Sequence, residues 1–206
     1  MKAVIFSSYF PSNRYISKFI INDKITIDIY ENFTKQTYRN RCNIMAANGI
    51  SSLIVPIKKN NHCVLKDVEI DYSENWQMNH YRTILSAYKN SAFYDYYIPD
   101  ILPLLTEKQK FLVDLNSKIL EIVFKILNLS PVYDYSNKYI EDDDIKDYRN
   151  LIHPKSHKSS EDKEFKQAEY IQVFSDRHGF VEDLSIIDLI FNMGPLSIST
   201  LEKSIP

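Results

Sequence analysis

The sequence predicts an α/β fold: a mixed β-sheet from the N-terminal third, covered by helices of the C-terminal two thirds. Three observations predict it. Ile25, Ile27 and Ile29 alternate with Thr26, Asp28 and Tyr30, the two-residue period of a half-buried strand. Leu112, Leu115, Ile119, Ile122, Ile126 and Leu129 recur at spacings of three and four, the stripe of a helix facing a core. Between them, Asn48-Gly49 supplies the positive φ that a type I′ hairpin turn needs. The period changes at Glu74, so 1–73 reads as β-rich and 74–206 as mainly helical within one domain.

Taken in order, residues 2–7 form a short apolar run, predicted as an inner strand. Pro11 ends it, and Ser12 caps a helix over 14–21. The alternating strand over 24–31 comes next, then the hairpin, whose second arm over 53–57 reads as buried. Residues 64–72 alternate again, with Val64, Val68, Ile70 and Tyr72 inward. Trp76, His80, Ile84 and Ala87 share one helical face. The aromatic stretch 91–105 is broken by Pro99 and Pro103, and a long helix over 107–129 stops at Pro131. Residues 153–166 are charged and poor in apolar groups, which predicts a mobile surface loop. A late strand over 170–174 precedes a last helix, capped by Asp183 or Ser185 and ended at Gly194-Pro195.

Composition excludes several classes. A net charge of −2 gives no global bias toward nucleic acid. Three glycines are too few for a Gly-rich phosphate cradle. Two cysteines, Cys42 and Cys63, make no disulfide framework. No apolar run approaches the roughly 20 residues of a membrane span. Met1-Lys2 leads only a short apolar run without a cleavage motif, so a cytoplasmic protein is expected. His153 and His157 are four apart, but Pro154 between them opposes a helical metal pair. Neither a metal nor a cofactor is expected.

The candidate site centres on 35–41. Lys35, Gln36, Tyr38, Arg39, Asn40 and Arg41 crowd one crossing bounded by apolar segments. Arginine offers a planar fork for carboxylate or phosphate, and lysine adds a point charge. The predicted ligand is therefore an anionic small molecule: an amino acid, a phosphate or a sugar nucleotide. The alternative is a solvated loop whose cations pair with Glu31 or Asp28. In the last helix, Ser185, Asp188 and Asn192 form one narrow polar stripe on an otherwise apolar surface. A buried Asp188 needs a cation, donors or water, and Arg39 or Arg41 would serve. His80 is either a packed core histidine or, at a cleft, the chain's best general base, with Arg82 nearby in sequence. Cys42 follows Arg41, so it is either a cation-activated thiolate or a small buried hydrophobe. Arg149, with His153 and Lys155, either covers an anion as a lid or belongs to a surface loop.

Several of these stretches carry a resemblance. Lys35-Gln-Thr-Tyr-Arg-Asn-Arg41, Asn48-Gly49 and Leu53-Ile-Val-Pro56 stand in the order found in the WbqC-like family. Trp76 with His80-Tyr-Arg82, Tyr170-Ile-Gln172, Gly179-Phe180 and the run from Leu184 through Asp188 to Asn192 extend the match. The family usually opens with His-Gln-Pro; here Phe6-Ser7-Ser8-Tyr9-Phe10-Pro11 stands instead, without the histidine. The resemblance implies a role with surface-polysaccharide (O-antigen) gene clusters, and a transferase placing an aminoacyl group such as glycine on a sugar. In that role Arg39 and Arg41 would hold the anion, with His80 or Asp188 as base. The alternative is a non-catalytic binding or scaffold protein of the same pathway. An enzyme should show His80 or Asp188 at a cleft with the arginines; a binding protein should show the cations alone.

Overall fold

The structure, a computed structural model, describes residues 2–58, 63–142, 144–154 and 161–206. β1 (Lys2–Phe6) and β2 (Lys24–Asp28) pair in parallel, Lys2 opposite Lys24 and Phe6 opposite Asp28. β3 (Arg41–Ala46) and β4 (Gly49–Ile54) form a separate antiparallel hairpin with Cys42 opposite Leu53. β5 (Tyr133–Tyr135) adds to the far edge of β2, and β6 (Lys146–Asp147) to the far edge of β1. The parallel sheet thus has the order β5-β2-β1-β6. The α/β class holds. The two pairing directions lie in separate sheets, and the parallel sheet takes both outer strands from beyond residue 130. Those strands are too short to show a period; they form because β1 and β2 offer them free edges.

Helix α1 (Asn13–Ile21) starts as predicted at Ser12, whose Oγ accepts the Tyr15 N–H. α2 (Trp76–Tyr88) carries the predicted buried face of Trp76, His80, Ile84 and Ala87. Pro99 and Pro103 do not break the aromatic stretch; both lie inside α3 (Tyr94–Thr106). They are four apart on its exposed side, where carbonyls freed by the missing N–H groups reach water. α4 (Leu112–Leu127) is shorter than predicted and ends at Asn128 in the left-handed conformation, three residues before Pro131. Its buried stripe runs through Leu115, Ile119, Val123 and Leu127, leaving Ile122 and Ile126 at the margin.

Three further expectations are corrected. Residues 64–72 are not a strand: Leu65–Asp67 is a 3₁₀ turn that buries Leu65, a position strand alternation would have turned outward. The hairpin's second arm is not wholly buried; Leu53 and Val55 face in while Ile54 is 42% exposed. Residues 170–174 are not a strand either, and lead into the short α5 (Ser175–His178). Gln172 takes over the pairing role there: its amide donates to the Val181 carbonyl and accepts the Val181 N–H.

Of the predicted 153–166 loop, 155–160 lie outside the described residues. Its end is docked: Asp162 pairs with the fully buried Lys18 at 2.6 Å, and Phe165 is buried. α6 (Ile186–Met193) is central, with all of Ile186–Phe191 buried against α1, α3 and β3. Gly194-Pro195 ends it as predicted, and α7 (Ser197–Lys203) follows. Among the described residues no helix is long and apolar enough to cross a membrane.

Candidate functional site

The crossing from β2 to β3 does carry the cations, but they do not converge. Arg39 is 4% exposed and turns toward the parallel sheet. Its Nε and Nη2 donate to the two carboxylate oxygens of Glu31 at 2.7 and 2.5 Å, and its guanidinium lies 4.8 Å over the Phe6 ring. This is the pairing with Glu31 that the sequence left open, and it satisfies the guanidinium fork from within. The Arg39 carbonyl accepts from Asn116, which also reaches Ser7, so the first strand's end and the crossing are tied together.

Lys35 and Arg41 face another way. With Gln36, Asn40, Phe33 and Ile57 they line a pocket of ≈ 230 Å³. Gln36 holds a φ of 62°, which bends the crossing at this point. Asn40 is anchored by its Nδ2 donating to the Val55 carbonyl at 2.9 Å, while its Oδ1 is buried without a partner among the described residues. The Arg41 Nε is likewise buried and has no partner among the described residues, and burial lowers the guanidinium's pKa. A partly desolvated guanidinium with an unmet donor gains from any acceptor placed beside it. The volume suits a phosphate or a small amino acid. It lies below the roughly 300–1,000 Å³ of pockets that enclose drug-sized ligands, so a larger ligand would extend beyond it.

The two predicted bases lie elsewhere. His80 is a core histidine. Its Nδ1 meets the Tyr9 hydroxyl at 2.9 Å, its ring donates to the Ile54 carbonyl, and it packs edge-on against Trp76. Burial pulls its pKa down to about 4, so it is neutral near pH 7. Arg82, two residues on, is exposed on α2 and shares neither His80's face nor the Lys35 pocket. Asp188 is fully buried, as expected, but not beside Arg39 or Arg41. It accepts from the Tyr88 hydroxyl at 2.8 Å, the Tyr170 hydroxyl at 2.7 Å and the Gln172 amide at 3.4 Å. Neutral donors hold it, and burial pushes its pKa above the ordinary carboxylate range. Asn192 donates to the Asp188 backbone carbonyl and lines a cleft of ≈ 810 Å³ together with Gln172, Asn90 and Ser91. Tyr38 is buried and lines a different cleft of ≈ 620 Å³ beside the Arg14–Asp183 pair.

Cys42 is the small buried hydrophobe of the two readings: it is 1% exposed, and burial pushes its thiol up, away from the thiolate. His157 lies outside the described residues. The residue that sequence reasoning misplaced is Arg149. It stands in the turn after β6 but is held inward by ion pairs: Nη1 donates to the buried Asp28 at 2.6 Å and Nη2 to Asp147 at 2.7 Å. Asp28 is 121 residues away, and no spacing could signal that pair.

An α/β fold with a parallel sheet, a docked hairpin and a cationic crossing between them is the class these observations define. The sequence matches the WbqC-like protein family over residues 7–158, so the chain belongs to that family. No curated protein and no solved structure matches it.

Proposed function

We propose that this WbqC-like protein binds a small anion, a phosphate group or an amino-acid carboxylate, against Lys35 and Arg41, within the surface-polysaccharide pathway its family is associated with. One observation carries the reading: the half-buried Arg41, whose Nε has no partner among the described residues, opens with Lys35 on a pocket of ≈ 230 Å³. Aminoacyl transfer to a sugar would need a base beside the anion. His80 and Asp188 both lie outside this pocket's lining, so binding is favoured over transfer.

Thermal shift against phosphate, sulfate, amino acids and sugar nucleotides tests it. A ligand at about 100 times its Kd adds roughly 2.7 kcal/mol. For a chain of this length that raises Tm by about 5–10 °C. Phosphate or a small amino acid should produce the rise in wild type, and Arg41→Ala and Lys35→Ala should lose it. A panel without effect on wild type, or variants that respond as wild type does, would overturn the reading.

A further inference from the structure

The crossing that lines the Lys35–Arg41 pocket presents its other side chains to a second pocket. Glu31, Asn32, Thr34 and Arg39 line it, with Tyr139, Arg149 and Asn150 opposite, around ≈ 200 Å³. Every strand of the parallel sheet supplies something at its carboxyl end. The end of β1 places Phe6 beneath Arg39. β2 ends in Asp28 and leads into Glu31. After β5 come Ser136, which donates to Asp28 at 2.9 Å, and Tyr139. After β6 comes Arg149, whose guanidinium lies 4.6 Å over the Tyr139 ring. Open α/β sheets bind ligands outside the carboxyl ends of their strands, where the strand order reverses. Here β2 and β5 extend to one side of β1 while β6 falls on the other, so the order reverses beside β1.

The chemistry of the lining selects the ligand. The charged groups of the lining, Glu31, Arg39 and Arg149, are already paired: Arg39 with Glu31, and Arg149 with Asp28 and Asp147, which are not part of the lining. An anion would have to compete with the carboxylates that already hold both guanidinium groups. A cation would find each carboxylate already held by an arginine. A neutral hydroxyl disturbs neither pair, because it donates to a spare carboxylate lone pair and accepts from a guanidinium N–H. Arg39 uses Nε and Nη2 on Glu31, and its Nη1 donates to no partner among the described residues. Asn150 and Thr34 add donors and acceptors at the rim, and Tyr139 stays 47% exposed, offering ring surface to C–H groups. We propose that this pocket is a second binding site, which takes a neutral hydroxyl-rich group the size of one sugar ring. The buried ion pairs keep its donors and acceptors in fixed positions before the ligand arrives.

The inference does not rest on anion binding at Lys35 and Arg41, and its test separates the two. Neutral hexoses and N-acetylhexosamines are titrated at millimolar concentration, with binding read by saturation-transfer NMR and calorimetry. The proteins are wild type, Tyr139→Ala, Asn150→Ala and Arg41→Ala, each checked for an unchanged melting temperature. Tyr139 and Asn150 are at the exposed rim, so their removal leaves the ion pairs in place. At least one neutral sugar should bind wild type and Arg41→Ala equally. Tyr139→Ala and Asn150→Ala should each weaken it by about tenfold, the factor set by one lost contact. Three outcomes would overturn the proposal: no sugar in the panel binds, the rim variants bind as wild type does, or Arg41→Ala abolishes binding.

Discussion

Replacing His80 by glutamine should change how the protein's stability depends on pH more than its stability at neutrality. Burial and the Tyr9 and Ile54 contacts hold the imidazole neutral, with a pKa of about 4 in the fold against 6.5 for an ordinary histidine. The folded value is depressed, so the unfolded chain takes up a proton first as pH falls. His80's contribution is therefore present above pH 6.5 and lost as pH falls toward about 4. The difference of about 2.5 units corresponds to about 3.4 kcal/mol at the acid limit, at 1.36 kcal/mol per unit. Between pH 7 and pH 4.5 the linkage integral gives about 2.5 kcal/mol. Carboxylates titrate over the same range, so the informative quantity is a difference between proteins. Urea unfolding of wild type and His80→Gln at both pH values supplies it. Wild type should lose about 2.5 kcal/mol more than the variant between the two conditions. Equal losses would mean that His80 titrates normally and is open to solvent, and would return it to the list of candidate bases.

Other perturbations give further checks. Arg39→Ala strands the buried Glu31 and should cost about 3–5 kcal/mol in urea unfolding, whereas Arg41→Ala, which breaks no ion pair among the described residues, should cost far less. Equal effects would contradict the division of the crossing into two faces. Asp188→Ala leaves the Tyr88 and Tyr170 hydroxyls without their acceptor and should cost about 2–4 kcal/mol. Because burial raises the Asp188 pKa, its favourable contribution is complete below the ordinary carboxylate value and is lost as pH rises through the raised one. Asp188→Asn should therefore gain stability relative to wild type as pH climbs from 4 to 8, and a flat difference would oppose this. Gly194→Ala places a Cβ 2.5 Å from the Phe93 ring at a φ of +52°, and a Tm drop of less than about 2 °C would show that the ring yields freely.

What could be read from the sequence was local. Ser12 caps α1 because a hydroxyl two or three residues before an apolar run meets an orphan N–H, a rule confined to one turn. The α2 face and the burial of Asp188 follow from period in the same way; the hairpin forms where Asn48-Gly49 stands, but its two turn residues are Ala47 and Asn48 and only Gly49 has a positive φ, so the turn is not the expected type I′. The cationic crossing was also visible, as composition bounded by apolar segments. Pairing across distance was not. β5 and β6 are strands only because β2 and β1 present unpaired edges to them, and their own few residues carry no period. Leu65 is buried because the fold needs its side chain there, at the expense of the alternation around it.

The same divide runs through the candidate site. The sequence determined that Lys35, Arg39 and Arg41 would stand on one short crossing, and that a carboxylate in α6 would be shut away from water. Only the tertiary structure decided which cation was already satisfied. Arg39 meets Glu31 at the end of the sheet, Arg149 meets Asp28 across 121 residues, and Asp188 meets two tyrosines instead of an arginine. Spacing fixes which residues a segment brings along. Where each charge finds its partner depends on which surfaces the fold closes against each other, because a buried ion is stable only opposite the group that replaces its water.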